Sequence, residues 1–301
     1  MLRDKIIEIF VKTDDFYIEF SQEIKKHLLE SKIEGKRNRK ASLSDSEIIS
    51  ILILFHYGQF HNFKSFYINY VLAHLKDLFP NAVSYNRFIE LQHRVAVPFM
   101  LFMKYRCLGK SHGLNFVDST PLRVCHNKRI HNNKVFKEFA ERGHCSIGWF
   151  YGFKLHLIVN DKGEILSFYL TKGNVDDRDF KVMKNMTKDI FGKLFGDRGY
   201  ISKALADLLF MDGIQMIAKP RKNMKNVNIS TTDRILLRKR SIIETINDEL
   251  KNLCKLEHTR HRSINNFLIN ILGALSAYSF FQKKPSLNIE WEYSNQLLLS
   301  A

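Results

Sequence analysis

Apolar and polar positions alternate in two different textures along the chain. Up to about residue 108 the apolar residues recur at three- and four-residue spacing, as in Ile6, Ile7, Phe10 and Val11. That spacing places them on one face of a helix. Ser42-Leu43-Ser44-Asp45-Ser46-Glu47 supplies capping side chains ahead of the apolar run IISILILFHY, so a helix starts there. A further helix follows Pro80, starting near Ser84 in SYNRFIELQHRV. After about residue 110 the period shortens. Asn115-Phe116-Val117 is a short apolar run closed by Asp118. The segments YGFKLHLIVN and EILSFYLTKG alternate in strand fashion about Asp161-Lys162-Gly163, which predicts a β-hairpin. VDDRDFKVMKNMTKDI reads as a helix with Asp176 or Asp177 as its cap. It is followed by a strand in KLFGDRGY, a helix in SKALADLLFMDG, a strand in IQMIAKP, a basic loop, and long helices from about 232 to 282. Cys125, His126, His144 and Cys145 fall in a long loop after the first strand on this reading.

The element order is therefore β-β-β-α-β-α-β-α. Three strands able to form a meander, then alternating helices and strands, imply an α/β fold with a mixed sheet flanked by helices. This is the order of the ribonuclease H-like fold, here preceded by an all-helical N-terminal domain. The expected division is a helical domain at 1–108, a ribonuclease H-like core at 109–283 and a peripheral tail at 284–301.

Composition adds a partner. Among 301 residues, Lys and Arg number 47 against 31 Asp and Glu, a net charge of +16. Such an excess favours a polyanion, nucleic acid before an acidic membrane surface. The apolar stretch around Phe267 to Phe281 is interrupted by Asn270, Ser276 and Ser279 and falls short of a membrane span. Four cysteines with no C-x-x-C pair, and no leader-like apolar segment at the N-terminus, point to a soluble cytoplasmic protein.

Two carboxylates end expected strands, Asp118 after Asn115-Phe116-Val117 and Asp197 after Leu194-Phe195-Gly196. Ligands of open sheets bind at the carboxyl ends of strands, so both side chains are expected in a site and not in the core. Gly196 and Gly199 flank Asp197 and allow a tight turn. In RSIIETINDELKN, Glu244 shares a helical face with Arg240, four residues before it, and Lys251, seven after it. Glu249 and Glu257 lie nearby, and Glu249 falls off that face. Clustered carboxylates repel one another, and divalent cations relieve the repulsion. Hard oxygen donors suit Mg²⁺ or Mn²⁺, and two such ions can drive in-line displacement at phosphorus. Lys219, Arg221, Lys222 and Lys225 form a basic loop suited to tracking phosphates. Asp176, Asp177 and Asp179 read as helix-start caps, His156 as structural, and Trp149 as sheet edge or, alternatively, a base-stacking platform.

These blocks in this order resemble the DDE transposases of bacterial insertion sequences, closest to the group named after insertion sequence nine-eighty-two. The resemblance covers nearly the whole chain. It is carried by NFVDSTPLRVCHNKRIH, ERGHCSIGWFYGFKLHLIVN, KGNVDDRDF, FGDRGYIS and KRSIIETINDELKNLCKLEHTRHRSINNFLINILGALSAY. It implies a catalytic, metal-holding triad of Asp118, Asp197 and Glu244, with Arg240 and Lys251 as basic residues that hold DNA near the scissile bond. It implies an enzyme that cuts DNA at terminal inverted repeats and joins the 3′-hydroxyls to target DNA. Such an enzyme acts on both ends together as a homo-oligomer, with no membrane partner, and its N-terminal domain grips the repeats. Related groups carry Tyr three residues before the position of Arg240, where this chain has Leu237. A hydrolytic nuclease of the same fold and a non-catalytic DNA-binding relic are the rival readings.

Overall fold

The computed structural model describes residues 3–30, 42–146, 148–220, 229–257, 261–287 and 289. Arg221, Lys222 and Lys225 of the basic loop lie outside the described residues. The helices are α1 (Arg3–Glu30), α2 (Asp45–Tyr57), α3 (Phe63–Phe66), α4 (Leu72–His74), α5 (Tyr85–Leu91), α6 (Ala96–Phe102), α7 (Phe180–Met186), α8 (Lys203–Met211), α9 (Thr231–Lys239), α10 (Ser241–Asn252) and α11 (Ile264–Ser279). The strands are β1 (Leu114–Cys125), β2 (Glu141–Cys145), β3 (Gly148–Asn160), β4 (Ile165–Lys172), β5 (Gly192–Gly196) and β6 (Ile214–Ala218). Among the described residues, no helix is long and apolar enough to cross a membrane.

The chain packs as two units, Met1–Cys107 with Leu250–Leu256 and His261–Phe281, and Leu108–Glu249 with Glu257–Arg260 and Gln282–Ala301. The first unit is helical. Ser44 caps α2 in a reciprocal capping box with Glu47, which satisfies two otherwise orphaned backbone donors. Ser46 and the nine consecutive residues from Ile48 to His56 are buried, and all but Ser46, Ser50 and His56 are apolar. A helix apolar on all sides needs neighbours on all sides, and α1 and α11 supply them. Gly273 of α11 lets the helices approach closely: a Cβ there would meet the His56 ring at 2.7 Å. This unit therefore takes in Ile264–Ser279, which the sequence division grouped with 109–283.

The second unit is built on a sheet of order β2-β3-β1-β5-β6, with β4 also paired to β3. β1 and β4 each pair antiparallel with β3, and β5 and β6 run parallel to β1. An antiparallel meander continued by two parallel strands through helical crossovers is the ribonuclease H-like topology, as expected. Val117, Ile158, Val182, Met183, Leu194, Leu205 and Leu209 bind α7 and α8 to one sheet face.

Three local readings are corrected. First, β1 does not end at Asp118 but continues through Pro121 to Cys125, paired to β3 throughout. β5 leaves β1 after Phe116, so the outer side of β1 needs no donor from Pro121. Second, residues placed in a loop form the short strand β2, which extends the β4 side of β3. Third, Asp179 caps α7, its carboxylate accepting from the Val182 N–H at 2.9 Å, and neither Asp176 nor Asp177 does so.

Candidate active site

Strand register brings the two aspartates together. The parallel pairing of β1 with β5 runs Leu114↔Lys193, Asn115↔Leu194 and Phe116↔Phe195. The pairing ends there, and two residues further along each chain come Asp118 and Asp197, near enough for the Asp197 charge to act on Asp118; the Phe116 and Phe195 rings of the last pair meet at a tilt, with centroids 5.6 Å apart. Asn115 locks that register. Its buried amide donates to the Phe191 carbonyl at 2.8 Å and to the Lys193 carbonyl at 3.1 Å.

Each carboxylate is oriented by a separate donor. Asp118 Oδ2 accepts from Asn247 Nδ2 of α10 at 3.1 Å. Asp197 caps the turn Arg198–Tyr200, and its Oδ1 accepts from the Gly199 N–H at 2.7 Å. The glycines of the G-D-R-G motif act sterically: a Cβ on Gly199 would lie 2.8 Å from Asp197 Oδ1, and one on Gly196 would strike Met216 and Tyr200. Arg240, at the C-terminal end of α9, reaches back to the same place. Its guanidinium stands 3.6 Å from Asp118 Oδ1 and bonds Glu244 one turn further along. Burial, above all, pushes the Asp118 carboxyl up to about 7. Arg240 opposes that shift, while the charges of Asp197 and Glu244 add to it. Of the three candidate glutamates, Glu244 is the one whose charge reaches Asp118. Glu257 instead accepts from the Arg123 N–H at 2.9 Å.

Asp197 opens onto a cleft of about 740 Å³ whose walls include Arg198, Lys219, Arg234, Arg238 and Arg240. Leu237 also lines it. Five cations around one carboxylate suit a polyanionic substrate. Lys251 lies on the last turn of α10 and is counted with the first unit.

Asn247 was missed in the sequence. Its signal was the spacing Arg240, Glu244, Asn247, Lys251, one continuous helical face in which the only uncharged member touches Asp118. Asp177 was misassigned. Its Oδ1 accepts from Ser119 Oγ at 2.8 Å and from Lys154 Nζ at 3.1 Å, tying the loop before α7 to the residue that follows Asp118. His156 is fully buried beside it, within 2.9 Å of Thr171 Oγ1, and burial drives its imidazole down to about 4, so it is neutral.

Among the described residues, no three carboxylate, imidazole or thiol groups close around a common point as a metal cage. Magnesium does not need one: it commonly takes one or two carboxylates and fills its other positions with water and substrate phosphate. Asp118 and Asp197 provide such a pair, and the Arg240 guanidinium already places positive charge between Asp118 and Glu244. The donor set fits a hard divalent cation.

A sequence search of curated proteins finds no match. Among solved structures, the chain is similar to the piggyBac transposase in a synaptic complex with hairpin DNA, at 9% identity, covering 93% of this chain and 75% of that one, with a TM-score of 0.44. It is also similar to the Mos1 strand transfer complex, at 10% identity, covering 86% and 82%, with a TM-score of 0.25. Both likenesses are loose, and the fold assignment stands on strand order and direction. The profile of the family described as "Transposase DDE domain" matches residues 108–264, more than half of the chain. The chain therefore belongs to the transposase DDE domain family.

Proposed function

We propose that this chain is a DNA transposase of the insertion sequence nine-eighty-two group. It cleaves its element at terminal inverted repeats and joins the freed 3′-hydroxyls to target DNA. The observation that carries the reading is that Asp118 and Asp197, each following the paired stretch of β1 and β5, lie close enough for the charges of Asp197 and Glu244 to act on Asp118, with Arg240 at 3.6 Å from it.

Asp118 and Asp197 would hold Mg²⁺ or Mn²⁺, with Glu244 completing the site. Two bound ions would supply activation of the attacking hydroxyl and stabilisation of the departing oxygen. The chain's own residues do the positioning. The Asn247 amide and the Gly199 N–H each hold one oxygen of an aspartate, and the second oxygen of Asp118, now facing Arg240, would turn to an ion. Arg198, Lys219, Arg234 and Arg238 grip phosphates along the cleft, and Arg240 lies beside the scissile one. Arg221, Lys222, Lys225 and Lys251 extend this grip. In cleavage, water attacks phosphorus, the bond to the 3′-oxygen breaks, and that oxygen takes up a proton. In joining, the new 3′-hydroxyl loses its proton to solvent and attacks a target phosphorus, expelling the target 3′-oxygen. Two ends handled together require at least two copies, so the working form is a homo-oligomer. Residues 1–108 grip the repeats and the sheet unit within 109–283 carries the chemistry; the protein works in the cytoplasm.

The test uses a labelled duplex bearing an end of the element and a supercoiled target. Cleavage and joined product should both require Mg²⁺ or Mn²⁺ and disappear in chelator. Cleavage with no joined product under any condition would favour a hydrolytic nuclease, and full activity in chelator would refute the reading.

A further inference from the structure

We infer that a second cleft of the sheet unit receives one unpaired nucleotide of the DNA, with its base stacked on Trp149. The inference rests on the DNA-processing reading above and names a feature of the substrate that reading leaves open.

The cleft has a volume of about 430 Å³, and Arg142, His144, Trp149, Lys154, Asp177 and Gly199 are among its lining residues. That volume lies at the lower end of small-ligand pockets, enough for a single nucleotide and too small for a duplex. Its position relative to the catalytic groups is fixed. Gly199 supplies the N–H that holds Asp197, and Asp177 holds the residue after Asp118. One wall is therefore the turn that carries the chemistry, and the other is the β2–β3 hairpin.

The hairpin presents Trp149 in an unusual way. The indole is 66% exposed, although its neighbours Phe150 and Tyr151 are buried. A large aromatic surface left in water is a cost that packing normally removes. Yet the residue is held firmly. His144, its direct partner across the strands, sets its ring edge-on to the indole, with centroids 5.1 Å apart. Asn127 Nδ2 donates to the Trp149 carbonyl at 2.9 Å. An indole buttressed by a neighbouring ring yet largely exposed is a stacking platform, and every base has a π-face to offer it. Arg142 is exposed on the same hairpin, Lys154 adds a largely buried cation and Arg178 a more exposed one, partly offset by Asp177 and Asp176. Aromatic surface and cations in one small cleft match a base and its phosphate. Paired bases hide their faces in the stack, so the ligand is a nucleotide already unpaired or turned out of the helix.

The experiment uses the full chain, without divalent metal, and two 20-base-pair duplexes of one sequence. One carries a single bulged 2-aminopurine, and the other is fully paired with 2-aminopurine at the same position. The wild-type protein should quench the bulged probe and bind that duplex roughly 5- to 150-fold more tightly, the range that stacking one base supplies. Trp149→Ala should lose both the quenching and the preference, while its affinity for the paired duplex stays unchanged. Trp149→Phe should keep most of the preference. Equal affinity for the two probes in the wild type overturns the inference, as does quenching that survives Trp149→Ala. So does a Trp149→Ala variant that changes oligomeric state but keeps the preference, since the indole would then serve a protein contact. If quenching and preference are present but metal-dependent cleavage is absent, the transposase reading fails while the nucleotide site stands.

Discussion

Replacing Asp118 by Asn tests the electrostatics of the site without touching DNA. The ordinary Asp value is 3.8, and burial with two like-charged neighbours raises Asp118 to about 7. The folded chain therefore holds that proton more tightly than the unfolded chain. The stability this contributes is complete below pH 3.8, shrinks as pH rises, and is gone above about 7. A displacement of roughly 3 units corresponds to about 4 kcal/mol at 1.36 kcal/mol per unit. The side chain is 19% exposed, so the solvent it keeps discounts the figure only modestly, to about 2–4 kcal/mol. Asparagine has the same shape, stays neutral, and can still accept from Asn247. Metal-free Asp118→Asn should therefore be more stable than wild type by about 2–4 kcal/mol at pH 8, and by less than half of that at pH 5. The assay is thermal and urea unfolding of both proteins in chelator at pH 5, 6, 7 and 8. Saturating Mg²⁺ should then stabilise the wild type and leave the variant nearly unchanged, closing the gap. A variant no more stable than wild type at pH 8, or a gain that does not vary with pH, would refute the reasoning.

Arg240→Ala removes the cation that now sits between Asp118 and Glu244, so Mn²⁺ affinity without DNA, followed by paramagnetic resonance at pH 8, should rise by roughly tenfold or more. DNA affinity of the same variant should fall, and unchanged Mn²⁺ binding would show that the guanidinium does not occupy the cation's place. Gly199→Ala should displace the Asp197 carboxylate while leaving the fold intact, because no backbone strain is involved. Cleavage is expected to drop by roughly 10- to 100-fold with little change in melting temperature, and a fully active variant would contradict the steric account. DNA affinity should fall steeply with salt, as expected when a chain of net charge +16 displaces several counterions. A flat response would argue against a phosphate-dominated interface.

Much of this arrangement was legible because the two aspartates follow apolar runs, Asn115–Val117 and Leu194–Gly196, and a turn at Asp161-Lys162-Gly163 separates the apolar-rich β3 and β4. What could not be read was which strands pair and in what register. The pairing of β1 with β5 through Phe116↔Phe195, which delivers Asp118 and Asp197 to one site, is a property of the sheet. Strand β2 escaped notice because Glu-Arg-Gly-His-Cys has no apolar alternation and is ordered only by lying along β3. The end of β1 was misplaced because Ser119, Thr120 and Pro121 look like a turn, and Pro is tolerated there only because β5 has already left that side. Three aspartates in four residues offered equal caps for α7. The choice of Asp179 follows from Arg178 engaging Asp176, and from Ser119 and Lys154 engaging Asp177. The place of α11 beside α2 was hidden because an apolar helix advertises burial but not its partner.

The central claim is that Asp118, Asp197 and Glu244 act as one metal-dependent centre while the surrounding cations hold DNA. Single-turnover strand transfer, measured beside DNA affinity for Asp118→Asn, Asp197→Asn and Glu244→Gln, tests it most directly. The account predicts that each variant loses cleavage and joining by several orders of magnitude in Mg²⁺ or Mn²⁺ yet binds end DNA as tightly as wild type or more so. A variant that still joins DNA ends at near wild-type rate would remove its residue from the centre, and near wild-type joining by both Asp118→Asn and Asp197→Asn would contradict the account altogether.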